Sequence, residues 1–332
     1  VASRVRPLLI RPGARFVCHG DGLCCTDVHL LGPLSRDEGE AITRIERGAI
    51  VRLVGLRLLD QSSGSCVFLE ERGACRIYDH DGGRTKPRTC DRYPFLLVAT
   101  PDGGRVGTDH RCPCRTLGER PPLTPEAAEG PLKTRSGRLM VDRRMGPTVA
   151  IEGRRRVGWR RYRALEAELF AAIERDLDAA LGAPFPALED MSWPQVAGDL
   201  ALDMPATKWG WACRTFAVFV GELSGGPPGE ARARPWKAVF NRAEARSAPQ
   251  DPEAMLRDFV LDAIWSLEWA WRGPLSVARA ELATRVHVIR AMARHFTAHG
   301  SRPDRAMAEA LSVAEIAGVS DTWSTVVQRM RP

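Results

Sequence analysis

Eight of the nine cysteines in this 332-residue chain (Cys18, Cys24, Cys25, Cys66, Cys75, Cys90, Cys112 and Cys114) lie between positions 18 and 114. Only Cys213 lies beyond them. So many thiols in under a third of the chain leave two main ways to fold that part. Disulfides staple it in an oxidising compartment, or a thiophilic ion gathers it in a reducing one. The apolar stretch Leu8-Leu9-Ile10 falls short of the roughly 7–15 residues of a secretory signal core. No uncharged apolar run approaches the roughly 18–20 residues of a membrane span. The best candidate, Trp209 to Leu223, is interrupted by Arg214 and Glu222. The expectation is a cytoplasmic protein without a membrane partner, its thiols reduced and committed to metal.

Tryptophan divides the chain in the opposite sense. All nine tryptophans lie at or beyond Trp159, where the cysteine cluster is absent. Large aromatics can build a core unaided. A Trp-free, Cys-dense segment needs another source of folding free energy, and metal ligation supplies one. The expected fold class is α+β. A small irregular Cys-rich metal-binding module with short β-hairpins (1–120) is followed by a connector (121–158) and an all-α helical domain (159–332). The formal net charge of +7 belongs to the connector region: eleven Lys and Arg lie between Lys133 and Arg163 against only Asp142 and Glu152. A solvated linker with an exposed helix start is the plainer reading of that segment. Docking of an acidic partner is the sharper one. Nucleic acid is disfavoured, because Trp159 and Tyr162 are the only aromatics available to stack on bases.

Within the first module, Ser35-Arg36-Asp37-Glu38 has the form of a capping box. Ile42 and Ile45, with Ile50 beyond, mark the apolar face of the helix that follows. Cys66-Val67-Phe68-Leu69 and Cys75-Arg76-Ile77-Tyr78, on either side of Glu71-Arg72-Gly73, read as a hairpin. Phe95 to Thr100 and Arg105 to Thr108 read as a stronger one, joined by Pro101-Asp102-Gly103-Gly104. The second half carries helical stripes over Trp159–Leu181, Pro252–Trp271 and Ser276–His299. Shorter helices are expected over Pro194–Leu202, Thr207–Leu223, Asp304–Ala317 and Ser320–Met330, with a loop at Gly225–Gly229.

Thiolates suit Zn2+ and iron–sulfur clusters, and the two hairpins would bring separated cysteines together. There is no C-x-x-C, so zinc-ribbon and ferredoxin spacings are both absent. Cys24 and Cys25 are adjacent, and neighbouring side chains on an extended chain point to opposite faces. Eight thiols therefore serve either two four-coordinate sites or one four-thiolate cluster with spare thiols. His19, His29, His80 and His110 are possible substitutes, although a solvated or core role is the commoner fate of a single histidine.

Taken in order, Cys18…Cys24-Cys25, Leu34-Ser35-Arg36-Asp37-Glu38, Cys66-Val67-Phe68-Leu69…Cys75-Arg76-Ile77-Tyr78, Lys86-Pro87-Arg88-Thr89-Cys90-Asp91-Arg92-Tyr93-Pro94-Phe95 and Cys112-Pro113 form a recognisable set. The segment resembles the cysteine-cluster family of zinc- or iron-chelating domains, which includes the flagellin lysine N-methylases. The resemblance implies Cys18, Cys24, Cys25, Cys66, Cys75, Cys90 and Cys112 as metal ligands, with Cys114 as a further one at a position where the family more often has a small residue. It also implies an alternative activity, S-adenosylmethionine-dependent methylation of lysine on a protein substrate. No G-x-G-x-G loop follows a strand here, so a Rossmann-type cofactor site is not expected.

Three functions follow as expectations. The first is a cytoplasmic cysteine-cluster protein holding an iron–sulfur cluster or Zn2+. The second is a protein lysine N-methylase using S-adenosylmethionine. The third is a non-catalytic adaptor docking an acidic partner through the Arg-rich connector. Trp265 and Trp269, four apart, are expected in the core rather than on a pocket floor, and Cys213 is expected as a small buried apolar residue.

Overall fold

The computed structural model describes residues 3–202, 204–226, 229 and 233–332. It is a mixed α/β chain with small sheets and many helices. The first elements are β1 (Leu8–Ile10), α1 (Arg36–Ile45), β2 (Ile50–Leu53) and β3 (Leu56–Leu59), followed by α2 (Arg76–Asp81) and α3 (Arg88–Arg92). The capping box forms in both directions: Ser35 accepts from Glu38 N, and Glu38 accepts from Ser35 N. Ile42 is sealed beneath α1, whereas Ile50 opens β2 instead of extending the helical face.

The hairpin expected over 66–78 forms only at its turn. Leu69 and Cys75 make one antiparallel bridge, and then residues 76–81 coil into α2. The stretch after Cys75 offers one buried apolar side chain, Ile77, among Arg76, Asp79, His80 and Asp81. That pattern cannot supply the alternating face a strand needs.

The second hairpin forms as expected. β4 (Phe95–Ala99) and β5 (Gly104–Thr108) run antiparallel from Phe95 opposite Thr108 to Ala99 opposite Gly104. After them come α4 (Pro113–Thr116), α5 (Pro125–Leu132), β6 (Arg143–Arg144), β7 (Thr148–Glu152) and β8 (Arg155–Gly158). β1 joins β5 in parallel and β6 joins β4 in parallel, giving a four-stranded sheet ordered β1-β5-β4-β6. Residues 121–158 are thus folded, with a helix, a sheet strand and the β7–β8 hairpin, although most of their Arg side chains face solvent.

The remainder is mainly helical: α6 (Trp159–Arg175), α7 (Leu177–Leu181), β9 (Ala187–Leu188), α8 (Trp193–Ala201), α9 (Lys208–Leu223), α10 (Lys237–Ala245), α11 (Pro252–Ser266), α12 (Leu275–Ala298), α13 (Pro303–Gly318), α14 (Asp321–Arg329) and β10 (Met330–Arg331). It is not purely α, because β9 and β10 pair antiparallel. The stripe over 159–181 breaks at Asp176, whose side chain caps a new helix by accepting from Ala179 N at 3.0 Å. The stripe over 252–271 breaks at Leu267, which turns left-handed at φ 60° before a 3-10 turn, Glu268–Trp271. Trp265 and Trp269 therefore do not share a helical face. Trp265 is buried, and Trp269 is half-buried.

One continuous apolar core runs through α6 to α14, with Cys213 fully buried in it. Of the loop expected at Gly225–Gly229, Pro227 and Pro228 lie outside the described residues. Among the described residues, no helix is long and apolar enough to cross a membrane.

Candidate metal centre

Six separate stretches carry the eight thiols. Cys18 lies in the loop after β1, and Cys24 and Cys25 close a 3-10 turn (Leu23–Cys25). Cys66 follows the bridge between Thr26 and Ser65, and its N–H donates to Cys25 O at 2.6 Å. Cys75 is the N-cap of α2, Cys90 sits within α3, and Cys112 and Cys114 begin α4. Gly73 locks two of these stretches together. Its φ of +94° needs glycine, and a Cβ there would stand 2.6 Å from Gly20 O. On the other side, His19 N donates to Cys114 Sγ at 3.2 Å, and Cys114 Sγ lies 3.1 Å from Asp21 Oδ2.

All eight are free thiols, and the charges they would carry interact. Hydrogen bonding to Cys114, then burial, raises the Cys18 thiol; contact with Cys112 raises Cys114. Cys24 is raised by its contact with Cys25, 4.0 Å away sulfur to sulfur, then by burial and by Cys112 and Cys18. The Cys25 thiol is shifted the other way, lowered by its contact with Cys24 against the opposing effect of burial. Burial pushes Cys66 up to about 12, with Cys25 and Cys75 adding to the rise. Burial also raises Cys90, and Cys25, Cys66 and Cys75 contribute. Cys18 and Cys114, Cys24 and Cys112, and Cys25 with Cys66, Cys75 and Cys90 influence one another's ionisation, and Cys24–Cys25 and Cys18–Cys25 link these groups. Lys86 supplies a cation: despite its burial, its ammonium is kept protonated by Asp91, Cys90, Cys18 and Cys24.

Among the described residues, no three His, Cys, Asp or Glu side chains are arranged as they stand to hold a metal ion. The donor chemistry nonetheless fits one. Thiols whose ionisation is suppressed by burial and by one another are relieved by a cation that displaces their protons. The histidines are turned to other tasks. His29 meets Cys24 O at 2.9 Å, stacks edge-on to Tyr93, and is pushed down to about 4 by burial and by Arg111. His110 faces Asp262, and His80 is exposed. His19 Nε2 has no partner and would lie 2.9 Å from a Cβ at Gly118.

No family model, curated protein or solved structure matches this chain. Its chemistry must be read from its own residues.

The segment Asp109-His110-Arg111, just before Cys112, carries charge from the thiols towards the helical half. Arg111 forks onto Asp109 with Nε 2.8 Å from Oδ2. Behind it lies a buried charge network. Asp262 on α11 accepts from Thr108 Oγ1 at 3.0 Å, from His110 Nε2 at 3.1 Å and from Arg115 Nη2 at 2.5 Å, and also pairs with Arg11. Asp258, one turn earlier, takes the other ends of Arg11 and Arg115. Tyr93 Oη is buried without a partner in the same region, under the influence of Asp109 and Cys112. Sequence reasoning missed Arg11, Asp109, Arg115, Asp258 and Asp262, and quoted Lys86 and Tyr93 without giving them a role. One signal was available: two aspartates four apart on an otherwise apolar helix imply buried cations opposite.

Proposed function

We propose that this chain is a cytoplasmic metal-binding protein whose eight N-terminal cysteines hold two centres, iron–sulfur or zinc. Cys18, Cys24, Cys112 and Cys114 would hold one, and Cys25, Cys66, Cys75 and Cys90 the other. The carrying observation is that eight free thiols, on loops tied together by Cys66 N–H on Cys25 O and by Gly73 against Gly20, lie close enough to disturb one another's ionisation, with Lys86 among them. Four thiolates around one divalent ion or one cluster are net negative, and a neighbouring ammonium offsets part of that charge. Reduced thiols at this density suit a reducing compartment. When bound, the metal would add folding free energy to a segment that has no tryptophan and only small apolar clusters. Cys66 N–H on Cys25 O and the glycine contact at Gly73 would hold the ligand-bearing loops in register.

Elemental analysis and a visible spectrum, on protein prepared without oxygen, test this reading. Two metal equivalents per chain without colour identify zinc. Iron and acid-labile sulfide with broad visible absorbance identify clusters. A metal-free chain that stays fully folded and yields all eight thiols to a thiol reagent rejects both.

A further inference from the structure

On the far side of Asp109–Arg111 from the thiols lies a recess of about 130 Å3 between β5, α11, α12 and the end of α13. That is room for on the order of ten waters, or a small organic molecule of similar size. Trp269, Val277 and Leu282 give it an apolar wall. Most of its charges are already matched. Asp109 pairs with Arg111, and Arg285 joins Glu281 and Glu315 at 2.7 and 3.2 Å. Two are not matched. Glu268 makes no ion pair, and its carboxylate accepts no hydrogen bond among the described residues. Arg272 makes no ion pair among the described residues either, and spends one N–H on Gly318 O at 2.9 Å. These two stand four residues apart at the ends of the 3-10 turn, both on the recess. The buried Nδ1 of His110, whose Nε2 faces Asp262, also has no partner.

Lone charges of opposite sign beside an apolar wall call for a ligand that carries both charges and an aliphatic body. We infer that this recess binds a free α-amino acid with an aliphatic side chain. Its carboxylate meets the unused guanidinium fork of Arg272, its ammonium meets Glu268, and its side chain lies along Trp269 and Val277. A lone amine would leave Arg272 unmatched, and a lone carboxylate would leave Glu268 unmatched. The inference does not rest on the thiols holding metal.

Calorimetric titration of the full chain tests it with three probes: L-leucine, 3-methylbutylamine and 4-methylpentanoate. L-Leucine should bind saturably, and each single-charge analogue should bind about tenfold more weakly or worse, as expected when a charged partner is lost. Glu268→Gln should weaken L-leucine by a similar factor and leave 4-methylpentanoate unaffected. Arg272→Gln should do the reverse, weakening L-leucine but not the amine. Glu268 is solvent-accessible and makes no ion pair among the described residues, so its variant should fold, with a melting curve that matches wild type at about pH 5. It decides the matter alone if Arg272→Gln fails to fold. Absence of L-leucine binding in the millimolar range, equal binding of the amine, or unchanged affinity in Glu268→Gln overturns the inference.

Discussion

Arg105 on β5 and Glu166 on α6 form a two-pronged ion pair, Nη1 to Oε1 at 2.6 Å and Nη2 to Oε2 at 2.8 Å, with both side chains almost completely sealed from solvent. The guanidinium lies over Trp159 and Trp265, 5.1 and 4.3 Å from the ring centroids. Tyr162 donates to Glu166 Oε1 at 2.8 Å. Trp265 Nε1 donates to Val106 O at 3.0 Å. The sheet that leads to Cys112 is thus fastened to the helical core by a desolvated charge pair and aromatic faces.

Glu166→Leu strands the buried Arg105 and should cost about 3–5 kcal/mol, whereas Arg105→Met leaves Glu166 its pairing with Arg163 and should cost less. The double variant should recover most of the Glu166→Leu loss, because no buried charge remains and the half-exposed Arg163 still faces Asp102. Urea unfolding of the four proteins measures it. Additive single and double losses would show that the pair is uncoupled.

Two carboxyl groups should give opposite pH signatures. Burial pushes Asp262 up, but Arg115, Arg11 and His110 outweigh it and hold the group well below its ordinary 3.8. Its contribution to stability is present above pH 3.8 and fades as pH falls further. Glu268 goes the other way. Crowding by surrounding protein, then Glu315 and Asp109, raises it from 4.5 to about 7 against the pull of Arg272. It remains accessible to water at the recess mouth, so solvent moderates the effect. Its contribution is whole below pH 4.5 and is lost as pH rises towards 7. Melting curves of wild type and Glu268→Gln between about pH 5 and 8 should therefore diverge, with wild type losing stability relative to the variant. Parallel curves would mean that Glu268 titrates as an ordinary glutamate.

Cysteine substitutions should separate ligands from packing. Cys112→Ser should lower the bound metal measured by elemental analysis. Cys213→Ser should leave metal unchanged while costing about 1–3 kcal/mol, because it buries a hydroxyl in an apolar core. Metal loss in Cys213→Ser alone would contradict the assignment of both residues.

Lys86→Met should move the pH at which metal is retained upwards, since the ammonium near Cys90, Cys18 and Cys24 helps their thiols to ionise. Metal content after dialysis at stepped pH reads this shift. An unchanged midpoint would show that Lys86 does not sense the ligands.

Much of the architecture was legible from local pattern. Ser35 and Glu38 declare a helix start through their own backbone contacts, and Pro101–Gly104 dictates the turn between β4 and β5. The stripes of α6, α11 and α12 need only a 3.6-residue period. The failures were of another kind. Residues 76–78 look strand-like by composition, but a strand needs a partner face, and Arg76 instead pairs with Glu46 at 2.6 Å. Asp176 and Leu267 break helices whose apolar stripes run on, because caps and left-handed turns are decided by a few backbone atoms rather than by periodicity.

The sequence by itself determined that eight thiols crowd one end of the chain, that the tryptophans build the other, and that basic residues gather between them, since composition and short-range chain geometry need no partner to be read. Only the tertiary structure decided that the Cys24 and Cys25 sulfurs stand 4.0 Å apart, that Arg11, Arg105 and Arg115 are buried against α6 and α11, and that Glu268 and Arg272 share a recess. Those relationships join residues up to 251 positions apart, and the charge on each such group depends on which neighbours exclude water from it.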